Sequence, residues 1–147
     1  MLSPPMWAAE HSIETSAAPE AVWRAWADVP SWPEWNADLA KAELSGEFDT
    51  ESTIRMTSVD GDVVELRIAE AEEPRLFVDE AALGSVTVRT THRVEDVGAG
   101  RRRIVYRMEI SGPEADTVGP ELGPQISGDF PEVLAALAGR AEHGSLP

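Results

Sequence analysis

Two side chains in this sequence have both the chemistry and the placement to handle protons inside a fold, namely His92 and Tyr106. Each falls on the apolar face of a segment that alternates like a half-buried strand, 86–94 for the histidine and 103–111 for the tyrosine. A buried imidazole can orient a ligand carbonyl or act as a general base, and a buried phenol needs a hydrogen-bond partner. We expect either a His–Tyr–water pair inside a cavity or a core histidine that a neighbouring hydroxyl or backbone group satisfies.

Other kinds of chemistry lack the residues that they need. The histidines His11, His92 and His143 have no metal-ligand spacing, and the chain has no cysteine. It also has no P-loop, no GxGxxG and no GxSxG motif, so neither a nucleotide site nor a serine nucleophile is indicated. We therefore expect no metal and no cofactor, and any catalytic role would fall to His92 and Tyr106.

The charge balance limits the partners. The chain carries 27 acidic and 12 basic residues, a net charge of −15, which repels phosphate backbones and anionic membrane surfaces. We expect no nucleic-acid partner. No signal peptide and no stretch of ~20 apolar residues is visible, and the lack of cysteine fits a reducing compartment. The sequence thus predicts a cytoplasmic protein without membrane insertion, and it leaves a weak homodimer open.

The elements that must position His92 and Tyr106 are mostly strands. The 147 residues, 42% of them hydrophobic, suit a single domain over 1–147 with residues 1–6 as a loose tail. A first strand is predicted at 7–15, and turn signals later in the chain separate six more. Short strands joined by short turns predict a sequential antiparallel sheet. The six later ranges are 39–44, 52–58, 63–69, 76–81, 86–94 and 103–111.

Two short helices are predicted after the first strand. Pro19 suits the first turn of a helix, which should end near Asp28 because Pro30 blocks its continuation. A second and shorter helix is predicted to begin at once, since Ser31 and Glu34 have the spacing of a capping box.

The C-terminal part of the chain is predicted to be helical. The segment 113–128 is interrupted by two Gly-Pro pairs, so we expect an irregular or kinked lead-in there. A long helix should follow, because apolar residues recur at helical spacing. This stripe consists of Phe130, Val133, Leu134, Leu137 and Ala141.

The helix pair also carries a family resemblance. Residues 22–36 read VWRAWADVPSWPEWN, with Trp on the first helix, an Asp-containing turn and then Trp-Pro-x-Trp-Asn. This resembles the START-like, birch-pollen-allergen-like superfamily in its polyketide cyclase/dehydrase (SRPBCC) branch, and THRVED at 91–96 and the C-terminal segment 123–142 are similar in style. The resemblance implies an α+β helix-grip fold. In that fold a curved seven-stranded antiparallel sheet wraps around a long C-terminal helix, with two short helices after strand 1.

A bent sheet that one helix cannot fill leaves space, so we expect a cavity between the sheet and the C-terminal helix. Our first hypothesis is that the cavity binds a small, mostly apolar molecule such as a lipid, a polyketide or an aromatic metabolite. The candidate lining residues are Trp32, Met56, Leu66, Val78, His92, Tyr106, Met108, Phe130 and Leu134.

Two other functions stay open at this point. The resemblance also implies a cofactor-free aromatase/cyclase or dehydratase, with His92 and Tyr106 as acid and base. Alternatively, the acidic outer face of the sheet, with Glu65, Glu95 and Glu109, would meet a basic protein partner.

Several candidates have a purely structural explanation as well. Trp32 and Trp35 would either stack on a flat ligand or wedge the helix pair against the sheet. Asp79 and Glu80 point to opposite faces of a strand, so one of the two carboxylates should face inward. An inward carboxylate is costly unless it is paired or lies near a pocket mouth.

Overall fold

Seven antiparallel strands form one sheet. The computed structural model describes residues 6–144, in which the strands lie in the order β1-β7-β6-β5-β4-β3-β2. Every sequential neighbour from β2 to β7 pairs with the next, and β1 closes against β7. The predicted meander and the helix-grip fold class are confirmed. The strands are β1 Met6–Thr15, β2 Leu39–Ser45, β3 Thr53–Ser58, β4 Val63–Glu72, β5 Leu76–Leu83, β6 Val86–Gly98 and β7 Arg101–Ser111.

Several strands extend past their predicted ends. Met6 belongs to β1 and not to a loose tail, while the rest of that predicted tail lies outside the described residues. Strand β6 continues through polar residues to Gly98, where the hairpin to β7 turns. Backbone pairing satisfies N–H and C=O groups whatever the side chain, so a ladder continues where the apolar alternation has already stopped.

The alternation of side chains divides the sheet into two faces. We call the face that packs against the helices the inner face and the opposite one the outer face. On β6 the inner positions are Val86, Val88, Thr90, His92 and Val94, all buried, and the residues between them are more exposed. The predicted phase of this strand, and with it the inward placement of His92, is confirmed.

The two predicted helices after β1 are present, although the second begins differently. Helix α1 spans Pro19–Ala27, and a short 3-10 helix spans Val29–Glu34. The predicted capping box is wrong, because Ser31 lies inside the 3-10 helix. Its hydroxyl donates a hydrogen bond to the carbonyl oxygen of Asp28 at 2.7 Å instead of accepting one from the backbone. Asp28 is the N-cap residue of the 3-10 helix, and its side chain makes no capping hydrogen bond.

The stretch predicted to be irregular is a helix, α2, which spans Ala115–Ser127 and contains Pro120 and Pro124. Both prolines are exposed, so each ring lies on the solvent side of the helix. Their missing N–H groups weaken the helix but do not end it, because packing on the sheet supplies the stability that local propensity lacks.

The glycines of α2 explain how it packs. Gly119 and Gly123 are one turn apart and rest directly on the side chain of Trp7 in β1. A Cβ atom would lie 2.5 Å from Trp7 Cβ at the first glycine and 2.4 Å from the indole ring at the second. The Gly-Pro pairs that look like breaks in the sequence therefore form a contact surface for one indole.

Helix α3, Phe130–Gly144, is the predicted C-terminal helix. It packs on β1, β7 and α1, and α2 also packs on β1 and β7. The 3-10 helix contacts β2 at the other edge of the sheet. Helices α2 and α3 thus cover the β1–β7 side of the inner face most closely. The middle strands lie between this side and the 3-10 helix at β2.

Candidate functional site

A row of aromatic and imidazole rings crosses four neighbouring strands on the inner face. The register pairs His11 with Tyr106, Tyr106 with His92, and His92 with Phe77. The imidazole of His92 lies parallel to the ring of Phe77 with centroids 3.9 Å apart. It meets Tyr106 edge-on with centroids 4.6 Å apart. The two residues that the sequence places on neighbouring strands are therefore in contact.

Helix α1 holds the tyrosine from the other side. Trp26 is completely buried, and its indole Nε1–H donates a hydrogen bond to the phenol oxygen of Tyr106 at 3.0 Å. Because the oxygen accepts this bond, the O–H of Tyr106 remains available as a donor. Burial raises the pKa of Tyr106, so the phenol stays protonated at neutral pH.

The backbone fixes the tautomer of His92. Its Nδ1 lies 3.2 Å from the carbonyl oxygen of Phe77. A carbonyl only accepts, so Nδ1 carries the hydrogen and Nε2 is left as an acceptor in the neutral ring. Burial lowers the pKa of His92 to about 3, although the bond to the carbonyl of Phe77 acts in the opposite direction. The imidazole is neutral at physiological pH and presents a lone pair to the inner face.

Asp79 is the buried acid of this region. It lies on β5 directly opposite Thr90 of β6 and is 5% exposed. Burial, followed by the charge of Glu80, raises the pKa of Asp79 to about 7. One carboxylate oxygen lies 3.9 Å from Nε2 of His92, which is too far for a hydrogen bond. Since the imidazole is neutral, this contact is not an ion pair.

The polar atoms of the site leave hydrogen-bonding capacity unused. Among residues 6–144, no hydrogen bond reaches the carboxylate of Asp79, the Nε2 of His92 or the hydroxyl of Thr90. Buried polar groups in folded proteins are normally satisfied by protein or by water. We call Asp79, Thr90, His92 and Tyr106 the polar cluster.

Some apolar side chains of the inner face remain partly accessible. They lie on β2 to β5 or in the β2–β3 loop and pack against the core while keeping some exposed surface. This is the part of the sheet away from β1 and β7, where α2 and α3 pack. The residues are Leu44, Phe48, Met56, Val64 and Leu83.

The predicted lining residues fall into distinct groups. Met56 and Phe130 are partly buried and pack against the core. Leu66 is a core residue that is 8% exposed. Met108 and Leu134 are 0% and 1% exposed, so they are packed core and not cavity wall.

Two further predicted residues need correction. Val78 lies on the outer face, because Phe77 and Asp79 on either side of it point inward. Trp32 is wedged in the core, where its Nε1–H donates to the carbonyl oxygen of Trp26 at 2.9 Å. It therefore packs the 3-10 helix and does not form a pocket mouth.

Two open clefts lie at the surface instead of inside the sheet. One, of about 540 Å³, lies between α1 and the end of α3 and is lined by residues such as Arg24 and His143. The other, of about 420 Å³, lies between the 3-10 helix and the start of α3, beside Trp35 and Asp129. Neither is lined by a predicted lining residue, so neither corresponds to the predicted cavity.

Ion pairs connect many of the charged side chains on the outer face. Arg89 contacts both Glu70 and Glu80, and Arg67 contacts Glu80 and Glu51. The three acids that we considered for a basic protein partner are also engaged with arginines. They pair as Glu65 with Arg55, Glu95 with Arg93 and Arg103, and Glu109 with Arg107.

Sequence reasoning did not assign Thr90, Trp26 and Phe77 to the site, and it left open whether Asp79 or Glu80 faces inward. Thr90 carried a signal, since its strand has a clear phase that places it inward. The sequence signal for Asp79 was incomplete. The run Leu76–Val78 is apolar on both faces, so the alternation does not show which residues of β5 point inward. In residues 6–144 no three His, Asp or Glu side chains form a group that could hold a metal, and no helix is long and apolar enough to cross a membrane.

Solved structures share this fold at low sequence identity. Norcoclaurine synthase from Thalictrum flavum superposes with a TM-score of 0.76 at 18% identity, covering 99% of this chain and 100% of that one. Ara h 8.0201 gives a TM-score of 0.75 at 14% identity, covering 94% and 99%. The Zhui aromatase/cyclase from Streptomyces sp. R1128 gives 0.74 at 18% identity, covering 94% of each chain. At such identities the likeness establishes the fold alone.

Sequence comparison defines the family. No curated protein matches the chain significantly. The family model described as "Polyketide cyclase / dehydrase and lipid transport" matches residues 6–142, which include every strand and all but the end of α3. The chain therefore belongs to the polyketide cyclase/dehydrase and lipid transport family.

Proposed function

We propose that this protein binds a small, mostly apolar molecule against the inner face of the sheet, with the polar cluster holding the molecule's polar end. The observation that carries this proposal is the unused hydrogen-bonding capacity of Asp79, His92 and Tyr106, each less than a tenth exposed. Among residues 6–144 the buried side-chain N and O atoms without a hydrogen-bond partner are Trp35 Nε1 and Arg102 Nε, so the free polar atoms of the cluster keep some solvent contact and can bond to a ligand or to water.

Partly accessible apolar side chains of the inner face supply the affinity. Leu44, Met56 and Val64 keep accessible surface on the inner face, next to strands that α2 and α3 cover less closely. Covering apolar surface contributes ~25 cal/mol per Å², so each 100 Å² covered adds roughly 2.5 kcal/mol. A ligand with an apolar body and one polar group matches this arrangement.

The site proposed here is shifted from the enclosed cavity that the sequence suggested. Met108 and Leu134 fill the space under α2 and α3, so the ligand would lie against β3–β6. The distance of 3.9 Å between Asp79 and Nε2 of His92 is wide enough for one ligand atom to bond to both groups.

Proton-transfer catalysis is the second candidate function, and one observation favours it. Asp79, with a pKa of about 7, exchanges its proton near neutral pH, and the neutral His92 beside it presents a lone pair. An acid and a base so placed are what a cyclase or dehydratase of this family would use on a carbonyl substrate. Binding comes first in either case, so the binding test below applies to both candidates.

The test starts with the protein as purified and continues with a neutral probe. Native mass spectrometry and solvent extraction will show whether an apolar compound is retained. Binding of 1-naphthalenemethanol is then followed through tryptophan fluorescence in the wild type, in Met56→Glu and in Thr57→Glu. Met56 faces inward, and its neighbour Thr57 faces outward.

We expect Met56→Glu to weaken probe binding at least tenfold, because it puts a charge among the apolar side chains of the site. Thr57→Glu should stay within twofold of the wild type, and thermal melts will show that both variants fold. Equal affinities in the two variants would place the ligand elsewhere. Absence of both a retained compound and probe binding in the wild type would refute the proposal.

A further inference from the structure

We infer that the polar end of the ligand is a cationic amine and that the carboxylate of Asp79 is the group that binds it. This inference rests on the proposed function, since it names the chemical class of the molecule held at that site. It assigns to Asp79 a role that the sequence pattern alone did not reveal.

The polar cluster presents hydrogen-bond acceptors close to one another. The Nδ1–H of His92 is committed to the carbonyl of Phe77, which makes Nε2 an acceptor. The ionised carboxylate of Asp79 accepts only. Two acceptors therefore stand 3.9 Å apart, and among the described residues neither the Thr90 hydroxyl nor the Tyr106 hydroxyl donates a hydrogen bond to them. An ammonium group has three donors and no acceptor, and a nitrogen ~2.9 Å from each atom would bond to both.

The described residues supply no cation at this point. Among the described residues, the one basic side chain within 4.0 Å of the Asp79 carboxylate is His92, which is neutral. The arginines on the flanking strands, Arg67 and Arg89, point to the outer face and bond to Glu80. A buried carboxylate without a counter-ion is costly, and a ligand cation removes that cost.

The electrostatic field of the whole protein also favours a cationic ligand. A net charge of −15 favours the approach of cations and opposes that of carboxylates and phosphates. A fatty acid or an acyl phosphate would bring a second negative charge next to Asp79. The site therefore discriminates between ligands of the same shape by charge.

The ionisation state of Asp79 links binding to pH. The groups that face this carboxylate are His92 and Thr90 on β6, Tyr106 on β7 and, through the strand, Glu80. Of these inward groups, only Asp79 has a pKa near neutrality, at about 7. Binding of an amine should therefore tighten between pH 6 and pH 8, where Asp79 gives up its proton.

The experiment uses three probes that share one ring system, namely 1-naphthylmethylamine, 1-naphthalenemethanol and 1-naphthoate. Each is titrated at pH 8 into the full-length wild type, into Asp79→Asn and into Asp62→Asn. The last variant removes the same charge from an exposed position outside the site. The Asp79→Asn change keeps the size of the side chain and relieves a buried charge, so the variant should fold.

We expect the wild type to bind the amine at least tenfold more tightly than the alcohol, and the naphthoate least tightly. The preference for the amine should fall below twofold in Asp79→Asn and persist in Asp62→Asn. Equal binding of amine and alcohol by the wild type, or a preference that survives in Asp79→Asn, would overturn the inference while leaving the proposed function intact. If the wild type bound none of the three probes and also retained no compound on purification, the proposed function itself would fail.

Discussion

Asp79 and Glu80 are consecutive residues of one strand, and the two faces of the sheet treat them in opposite ways. On the outer face, hydrogen bonds from Arg89 and Arg67 lower the pKa of Glu80, although partial burial acts against them. On the inner face, burial raises the pKa of Asp79 to about 7. The same functional group is thus paired and ionised on one side of the backbone, and unpaired and easily protonated on the other.

This difference separates an acid that serves the fold from one that is available to a ligand. Glu80 already has two guanidinium partners, at 2.6 and 2.8 Å, and has little left to offer. Among residues 6–144 Asp79 has none, and its neighbours on the inner face are the neutral His92 and the hydroxyl of Thr90. Groups whose pKa is shifted by burial in this way cluster at functional sites in proteins.

The largest expected effect comes from removing the inner charge with Asp79→Asn. The pKa of Asp79 is about 7 in the folded protein and 3.8 in the reference state. The folded state therefore holds the proton more tightly, and the wild type loses stability as pH rises from 3.8 through 7. Asp79→Asn should therefore be more stable than the wild type. At 1.36 kcal/mol per pKa unit, this difference in the free energy of unfolding should be about 3 kcal/mol larger at pH 8 than at pH 4.5.

Urea unfolding at the two pH values measures this difference directly. Asp62→Asn is the matched control, and its free energy of unfolding should track that of the wild type at both values. A gain from Asp79→Asn that is the same at pH 4.5 and pH 8 would mean that Asp79 is not desolvated in the folded protein. The contrast between the two faces would then lose its main support.

The next effect is smaller and has the opposite pH dependence. The pKa of His92 is about 3 in the folded protein against 6.5 in the reference state, so the fold excludes a proton that the unfolded chain accepts. Stability from this group is complete above pH 6.5 and declines as pH falls towards 3. Between pH 7 and pH 4.5 the wild type should lose about 2–3 kcal/mol of unfolding free energy because of this group, and His92→Gln should not.

The quantity to compare is the change in unfolding free energy between the two pH values, not its absolute level. Replacing the ring also removes its stacking on Phe77, and that cost is present at every pH. His143→Gln, at an exposed position near the end of α3, is the control. If His92→Gln and the wild type declined in parallel on acidification, the imidazole would be accessible to protons and therefore not buried as described.

The sequence predicted the sheet well because most strands bury only one face. On β6 and β7 the strict alternation fixes the phase, and it places His92 and Tyr106 correctly on the inner face. On β5 the apolar run Leu76–Val78 is consistent with either phase, and the wrong choice assigned Val78 to the site in place of Asp79. Val78 is only 2% exposed although it lies on the outer face, so burial alone does not identify the inner face.

Local propensity failed where tertiary packing overrides it. Gly119 and Gly123 normally signal a break, but in α2 they allow the backbone to approach Trp7 closely. That contact joins residues more than a hundred positions apart, and no local pattern reveals it. The filled space around Met108 and Leu134 was equally hidden, because side-chain periodicity gives the face of a residue but not the volume left beside it.

The smallest expected effect tests the outer face with Glu80→Gln. Its side chain is 25% exposed, and exposed ion pairs contribute only ~0.2–1 kcal/mol each, so we expect a loss of about 1 kcal/mol at pH 7. Most of this loss should disappear in 1 M NaCl, where charges are screened within ~3 Å. Glu43→Gln, whose pair with Lys41 is at least half exposed on both sides, should change stability by less. A loss of several kcal/mol that salt does not reduce would show that Glu80 is held in a dry environment like that of Asp79. Its two arginines, and not its solvent exposure, would then be the reason that the neighbouring acids differ.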